Sequence, residues 1–352
     1  MNTQCLALMS VFNTAAPGKV DPTECLGIGA ELSGRLTHTQ PDPGIPTQFS
    51  LYRARLDMGV DIDGVGARIR TTAVRSATEG SYIGVDGESV LMRISVAEAR
   101  WTEADWGLTL SAGMVQDAWV TTSNTLWGLR ALEATLSQRI GVMDASDIGS
   151  TVVWTSPKRR VTLVGQMTSG EGFKYRERND GINTSGLLTV RPIATNDADL
   201  ELSGFVRDGS KGNLLARNHR YGARVAGRWG FVKGGMSYLK ALGNAGRILA
   251  EPSVTSTWFT ANIPMGILAA ARADFANWRP DNAQSQNYLV AVGPTLPLNR
   301  EGKAPGALLL GVKQTRNTEA GGGVAGAATY QNTQLYFLQL QFRGKHVAGI
   351  AQ

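Results

Sequence analysis

Apolar and polar side chains alternate residue by residue along many segments of this chain. In residues 50–63, SLYRARLDMGVDID, Tyr52, Leu56 and Met58 belong to one set, and arginines and aspartates belong to the other. A β-strand repeats every two residues, so this pattern gives a sheet one apolar face and one charged face. The faces would meet a core and water in a soluble sandwich, or lipid and an aqueous lumen in a membrane barrel. One strand leaves both architectures open.

The same alternation recurs through residues 25–343 and predicts about 16 strands. Short connections such as 63–64, 156–158 and 229–230 alternate with long ones such as 77–88 and 317–328. Outer-membrane barrels have short turns at one end and long loops at the other, whereas Greek-key sandwiches have no such rule. We therefore predict an all-β fold, a transmembrane antiparallel β-barrel of about 16 strands. A soluble secreted β-sheet binding protein is the alternative from a different class.

Composition narrows the function classes. The longest apolar runs, CLALM and ILAAA, are far shorter than the roughly 20 residues of a spanning helix. The formal net charge is +6, but the basic residues are spread singly, so no nucleic-acid partner is predicted. The sequence contains three histidines, too scattered for a metal site and poorly placed to activate a nucleophile. We predict no enzyme, no catalytic residues, no metal and no cofactor.

The amino-terminal region is predicted to be an extension, residues 1–24, that precedes the barrel. Its start lacks the basic residues of a signal peptide, so we expect the numbering of an exported chain from which the signal peptide is absent. Cys5 and Cys25 are the two cysteines of the sequence. A disulfide between them would stabilise the fold by about 3 kcal/mol and would suit an oxidising periplasm. Two unpaired thiols are the alternative.

Two central blocks and the final strand resemble one known family. The blocks are RISVAEARWTEADWGLTLSAGMVQDAWV (93–120) and STVVWTSPKRRVTLVGQMTSGEGFKYRERNDG (150–181), and the strand is TQLYFLQLQFRGK. They resemble the Gram-negative outer-membrane porins, of the general or anion-type with 16 strands. The resemblance implies a trimeric passive channel for ions and small hydrophilic solutes, in contact with membrane lipids and lipopolysaccharide. A solute-specific channel is the runner-up. Porins usually end on the final aromatic residue, whereas here a predicted tail, 344–352, follows.

The third long connection, residues 117–147, is predicted to carry a short helix. Leu126, Leu129, Leu132 and Leu136 repeat at helical spacing, and Asn124 could cap the start. In the family that this chain resembles, the third loop folds into the barrel and narrows the pore. A helix lying over the outer rim is the alternative.

Charged residues in the inward-facing sets are candidates for a pore wall. The predicted wall consists of Arg53, Arg55, Asp57, Asp61, Arg68, Arg70, Arg160, Arg220, Arg224 and Arg228. The candidates in the third loop are Arg130, Glu133, Asp144 and Asp147. A basic wall facing an acidic loop would produce a transverse field and a modest anion preference. The same arginines could instead form ion-pair ladders that hold strand register, at about 0.2–1 kcal/mol each.

Overall fold

The structure is a computed structural model that describes residues 25–40, 47–75, 90–170, 172, 181–211, 216–243, 251–278, 283–296, 306–318 and 332–349. Sixteen antiparallel strands close into a barrel, in which the first strand pairs with the last. The barrel strands are β1 (Cys25–Gln40), β2 (Thr47–Ile62), β3 (Val65–Arg75), β4 (Val90–Glu103), β5 (Leu108–Gln116), β6 (Ser146–Thr155), β7 (Val161–Thr168), β8 (Asn183–Ala194), β9 (Ala198–Asp208), β12 (His219–Trp229), β13 (Val232–Leu242), β14 (Ser253–Ile263), β15 (Ile267–Trp278), β16 (Ala283–Pro294), β17 (Gly306–Thr318) and β18 (Thr333–Gly349). A separate hairpin is formed by β10 (Ser210–Lys211) and β11 (Ala216–Arg217).

The predicted all-β barrel of 16 strands is confirmed. The carboxyl end differs from the prediction, because β18 continues to Gly349 and pairs there with Cys25. Residues 344–349 therefore extend the last strand, where the sequence predicts a tail. The predicted extension 1–24 and the partner cysteine Cys5 lie outside the described residues, so the disulfide stays a prediction.

The outer surface of the barrel is apolar. Outward side chains in mid-strand are about half exposed, as for Val152, Leu202 and Val290. Large aromatic side chains are exposed close to the short turns, which is the position of an aromatic girdle in membrane barrels. They are Trp101, Trp106, Trp154, Trp229 and Phe231. A soluble sandwich would present polar side chains here, so this surface contradicts the soluble alternative.

A β-bulge in β2 turns one predicted outer residue inward. Ser33 of β1 pairs with Arg53, but the next residue, Gly34, pairs with Leu51. Tyr52 is therefore the extra residue of the bulge. A bulge changes the direction of the side chains on the bulged strand. The Tyr52 ring consequently lies 3.6 Å from the guanidinium of the buried Arg35. Alternation places Tyr52 in one set with Leu56 and Met58, and this prediction is wrong for Tyr52 because of the bulge.

A second bulge, in β4, explains where the alternation of that strand fails. Arg70 of β3 pairs with Val96, but the next residue, Thr71, pairs with Ile94. Ser95 is therefore the extra residue of the bulge. Ile94 faces outward and Val96 is buried inside the barrel. Beyond the bulge, Glu98 and Arg100 lie in the interior, where both form ion pairs.

The third loop, residues 117–145 between β5 and β6, folds into the barrel. Its apolar side chains form two clusters with inward-facing residues of the wall. In the first cluster, the loop residues Trp119, Val120, Leu136, Val142 and Met143 pack on β8, β9 and β13 to β15. In the second, Trp127 and Leu132 pack on β12 and β14 to β18. The loop therefore covers the wall from β8 round to β18, and the external position over the rim is excluded.

Two helices lie within the third loop: α1 (Ala118–Trp127) and α2 (Leu136–Arg139). Asp117 caps α1 by accepting a hydrogen bond from the Val120 amide, and Gly128 ends it at a φ of 72°. The predicted helix beginning at Asn124 is therefore wrong in position, since Asn124 lies inside α1. The predicted leucines meet the wall because the chain turns between α1 and α2. No helix in the described part of the chain is long and apolar enough to cross a membrane.

Gly222 in β12 has no side chain, and this lets Trp119 of α1 pack close to the wall. A Cβ atom at Gly222 would lie 2.7 Å from the Tyr238 carbonyl oxygen and 3.2 Å from the Trp119 ring. We expect Gly222→Val to destabilise the protein by about 1–3 kcal/mol, because overpacking there displaces both wall and loop. Gly204→Val is the matched control, since a Cβ atom at Gly204 meets nothing within 4 Å. Equal unfolding midpoints in urea for the two variants would contradict this description of the contact.

Candidate functional site

Four arginines of β2 and β3 form what we call the arginine wall: Arg53, Arg55, Arg68 and Arg70. They share the inner face because they occupy alternate positions of two paired strands. Their side chains are between 4% and 13% exposed, although they face the lumen. The passage in front of them is therefore narrow.

Three carboxylates hold the arginine wall in place. Glu31 of β1 lies 3.1 Å from Arg53 and 2.9 Å from Arg55. Asp57 of β2 lies 3.1 Å from Arg55, 3.0 Å from Arg68 and 2.7 Å from Arg70. Glu98 of β4 is more distant, at 3.8 Å from Arg68. Sharing Glu31 and Asp57 between several guanidinium groups fixes the orientation of the arginines, as in a register-holding ladder, and the wall keeps an excess of positive charge.

Arg130 extends the positive charge from the loop toward the wall. It interacts electrostatically with Arg53, Arg55, Glu31 and Asp57. Burial, together with repulsion from Arg53 and Arg55, lowers the pKa of Arg130 well below its usual value. Its Nε atom has no hydrogen-bond partner among the described residues. A guanidinium in this position can attract an anion that approaches along the wall.

The turn between α1 and α2 is hydrogen-bonded to β1 and β18, the strands that follow the arginine wall on the β2 side. Arg35 of β1 donates hydrogen bonds to the Leu132 carbonyl and, at 2.7 Å, to Gln339 Oε1. Gln339 of β18 donates in turn to the Ala131 carbonyl at 2.7 Å. The Arg35 guanidinium also stacks on Phe337 at 4.7 Å. Both polar side chains are almost fully buried, so these hydrogen bonds define where the loop lies in the lumen.

Glu133 joins the loop to the far wall. Its carboxylate pairs with Arg139 at 3.1 Å and with Lys313 of β17 at 3.2 Å. Arg139 reaches Asp274 of β15 at 3.3 Å. Burial alone would raise the pKa of Glu133, but attraction by Lys313 and Arg139 outweighs it, and the pKa lies below the usual 4.5.

This lowered pKa predicts an acid-sensitive loop. A carboxyl with a depressed pKa in the folded state stabilises that state above its usual pKa. The stabilisation is lost as the pH falls below 4.5 through the lowered value. We expect Glu133→Gln to lower the melting temperature at pH 7. Below pH 4.5, the melting temperature of this variant should fall less steeply with pH than that of the unaltered protein. Asp105→Asn, in an exposed turn, is the control. A decline as steep in Glu133→Gln as in the unaltered protein would contradict the assignment.

The remaining predicted wall residues lie away from the arginine wall. Asp61 pairs with Arg100 at 2.9 Å near the short-turn end. Arg160 is exposed in the turn after β6, where it donates to the carbonyls of residues 191 and 192, rather than on a lumen wall. Arg228 donates to the carbonyl of residue 195 at another short turn.

Two predicted arginines support the third loop instead of facing open lumen. Arg220 donates to the Val142 carbonyl at 3.1 Å and to a carbonyl at residue 243. Arg224 lies beneath α1, where it donates to the Thr122 and Ser123 hydroxyls. The alternation correctly places both on the inner face, but it carries no information about which part of that face the loop covers.

The predicted acidic loop facing a basic wall is not observed. Asp147 belongs to β6 and accepts hydrogen bonds from the amides of Gly170 and Gly172. Asp144 lies beside Gly172 and interacts with Arg220. Glu133 is turned toward β15 and β17, as described above. The loop residue that approaches the arginine wall is the basic Arg130, so the predicted sign of the loop is wrong.

Solved structures with the same architecture come from outer-membrane proteins. The anion-selective porin from Comamonas acidovorans has a TM-score of 0.63 at 9% identity, covering 92% of this chain and 100% of that one. OmpT of Vibrio cholerae has a TM-score of 0.58 at 11% identity, covering 93% and 99%. OpdL of Pseudomonas aeruginosa has a TM-score of 0.51 at 8% identity, covering 92% and 99%. The chain has the porin fold. No family model and no curated protein matches the sequence.

Within this porin fold, several residues of the site carry a weak sequence signal. Arg35 and Gln339 occupy ordinary inward positions of the first and last strands, and the alternation gives them no special role. Their importance arises because β1 pairs with β18 and the third loop reaches that seam. Glu31 follows the same pattern. A charged residue facing the lumen near the closing seam is the signal that could have identified Arg35 and Glu31, whereas the uncharged Gln339 carries no such signal.

Proposed function

We propose that this protein is an outer-membrane porin, a passive diffusion channel for small hydrophilic solutes and ions. The observation that carries the proposal is the closed barrel with its third loop folded inside, opposite the arginine wall. Polar and charged side chains line the part of the lumen that the loop leaves uncovered, and a barrel of this size can hold water. Similarity to the porins supports the fold on which this function depends.

We further propose a preference for anions. The facing surfaces carry five guanidinium groups, those of the arginine wall and of Arg130, against the carboxylates of Glu31, Asp57 and Glu98. An excess of positive charge beside a narrow passage raises the local concentration of anions and lowers that of cations. One similar structure is that of an anion-selective porin, which agrees with this proposal.

The membrane environment and the assembly are part of the proposal. The apolar outer surface and its aromatic side chains fit membrane lipids, and lipopolysaccharide is the expected partner of the outer leaflet in a Gram-negative bacterium. A homotrimer is proposed because one similar structure is a trimer form of Vibrio cholerae OmpT. Cross-linking in detergent would test the trimer independently of channel function.

A hydrolase in the same barrel is the functional alternative, and the surroundings of the histidines favour the channel over it. His38 lies 3.0 Å from Thr47 Oγ1 and is exposed, and His219 pairs with Asp208 and Arg217. In the described part of the chain, neither imidazole has a serine or cysteine hydrogen-bond partner of the kind a nucleophile requires. We therefore infer a channel without catalytic activity.

Step conductance in planar bilayers tests the proposal. The purified full chain should produce discrete current steps in KCl, and a KCl gradient should give a reversal potential of anion-selective sign. Absence of current steps would overturn the channel, whereas cation selectivity would overturn only the anion preference.

A further inference from the structure

The inner wall beneath the third loop contains a polar row next to an apolar row. Residues paired side by side across successive strands form the polar row: Ser203, Arg224, Ser237, Ser256 and Asp274. The apolar row toward the long loops is Phe205, Gly222, Leu239, Val254 and Ala276 in the same strands. Short serine side chains in the polar row leave space between the wall and α1.

That space is a cavity of about 20 Å³. It is roofed by Trp119 and Trp127 of α1 and floored by Ser237 and Ser256. A cavity of about 10–15 Å³ already holds one water molecule, so this one accommodates a single small occupant. Its position behind the loop separates it from the arginine wall on the other side of the lumen.

Several hydrogen-bond donors in the lining of this cavity lack an acceptor among the described residues. Arg224 and Arg272 are 4% and 5% exposed, and Arg224 Nε and Arg272 Nη2 lack partners among the described residues. Thr135 Oγ1, from the loop, is likewise buried without a partner there. The Ser123 hydroxyl accepts from Arg224, so its own hydrogen is free to donate. Buried donors of this kind are normally satisfied, and an occupant that only accepts hydrogen bonds would satisfy all four.

The charge around the cavity is also positive. Arg224 shares Glu201 with Arg191, and Arg272 shares Asp274 with Arg139. Arg139 in turn shares Glu133 with Lys313. In these two groups of ion pairs, five cationic side chains share three carboxylates. A monovalent anion would reduce this excess, which a water molecule would not.

We propose that a monovalent anion of halide size binds in this cavity, held by Arg224 and Arg272, and that it attaches the third loop to the wall. The site is independent of the permeation path, so a channel could conduct with the cavity empty. Chloride is the halide with which we expect it to be filled in ordinary salt solutions.

Anomalous diffraction from crystals of the full chain soaked in sodium bromide tests the proposal. We expect a bromide peak in the cavity, in contact with Arg224 Nε and Arg272 Nη2. Bromide found only on the surface, with an ordered water in the cavity, would overturn it.

A second measurement does not depend on crystals. The melting temperature in detergent should be about 2–4 °C higher in sodium chloride than in sodium gluconate at equal ionic strength, because a ligand of the folded state stabilises it. Ser237→Val, which fills the cavity, should abolish the difference. Ser185→Val, on the inner face of β8 outside the cavity, should retain it. Equal melting temperatures of the unaltered protein in the two salts would overturn the proposal.

Discussion

Replacing Arg130 with glutamate is expected to shift the ion preference of the channel strongly from anions toward cations. Arg130 is the residue of the third loop that approaches the arginine wall, and the substitution would balance the positive and negative groups that face the passage. A unit charge at about 4 Å in water is worth about 1 kcal/mol, and the substitution changes the charge by two units. The resulting change of about 2 kcal/mol should lower the ratio of anion to cation permeability by about 30-fold.

The reversal potential in a KCl gradient measures this change. Arg160→Glu is the matched control, because it makes the same change of charge at an exposed turn. Arg130→Glu should move the reversal potential, and Arg160→Glu should leave it nearly unchanged. Equal shifts in the two variants would show that selectivity follows overall charge and not the charge at this site.

Replacing Arg35 with glutamine is expected to release the third loop from the wall. The variant loses the hydrogen bond to the Leu132 carbonyl and the stacking on Tyr52 and Phe337. Loss of a buried charged hydrogen bond costs about 1.5–3 kcal/mol, which corresponds to an increase of about 10- to 150-fold in the released fraction of molecules. We expect a larger single-channel conductance and frequent transitions between current levels.

Arg343→Gln is the control for the released loop. Arg343 lies on β18 beside Glu31, but its side chain is 49% exposed and its ion pair is long, at 3.7 Å. Single-channel recordings of Arg343→Gln should resemble those of the unaltered protein. Steady currents of unchanged size in Arg35→Gln would contradict the role of Arg35 in holding the loop.

The strands could be predicted from the sequence because alternation is a local property. Each strand needs only a few consecutive residues to show its period, and lipid outside and water inside enforce that period everywhere. The bulge at Tyr52 depends on how β2 pairs with β1, which no local pattern contains. The local pattern consequently assigns Tyr52 to the outer face, and only the pairing of β2 with β1 corrects this.

The site was predicted in part for a related reason. Arg53, Arg55, Arg68 and Arg70 follow from alternation in two strands joined by a tight turn, so their proximity is almost local. The position of the third loop in the lumen depends on contacts between residues far apart in sequence, such as that of Arg35 with Leu132. Leucine spacing correctly indicates that the loop is apolar on one side. The leucine spacing does not predict that the helix ends at Gly128, nor which charged side chains the folded loop presents.

Cysteine accessibility tests most directly that the passage lies between the third loop and the arginine wall. In a Cys5→Ser, Cys25→Ser background, Arg53→Cys places a thiol on the arginine wall, and Ser237→Cys places one behind the loop. A negatively charged thiol reagent added during bilayer recording should reduce the current of Arg53→Cys and leave Ser237→Cys unaffected. Block of the Ser237→Cys channel with no effect on Arg53→Cys would place the passage on the other side of the loop and contradict the account.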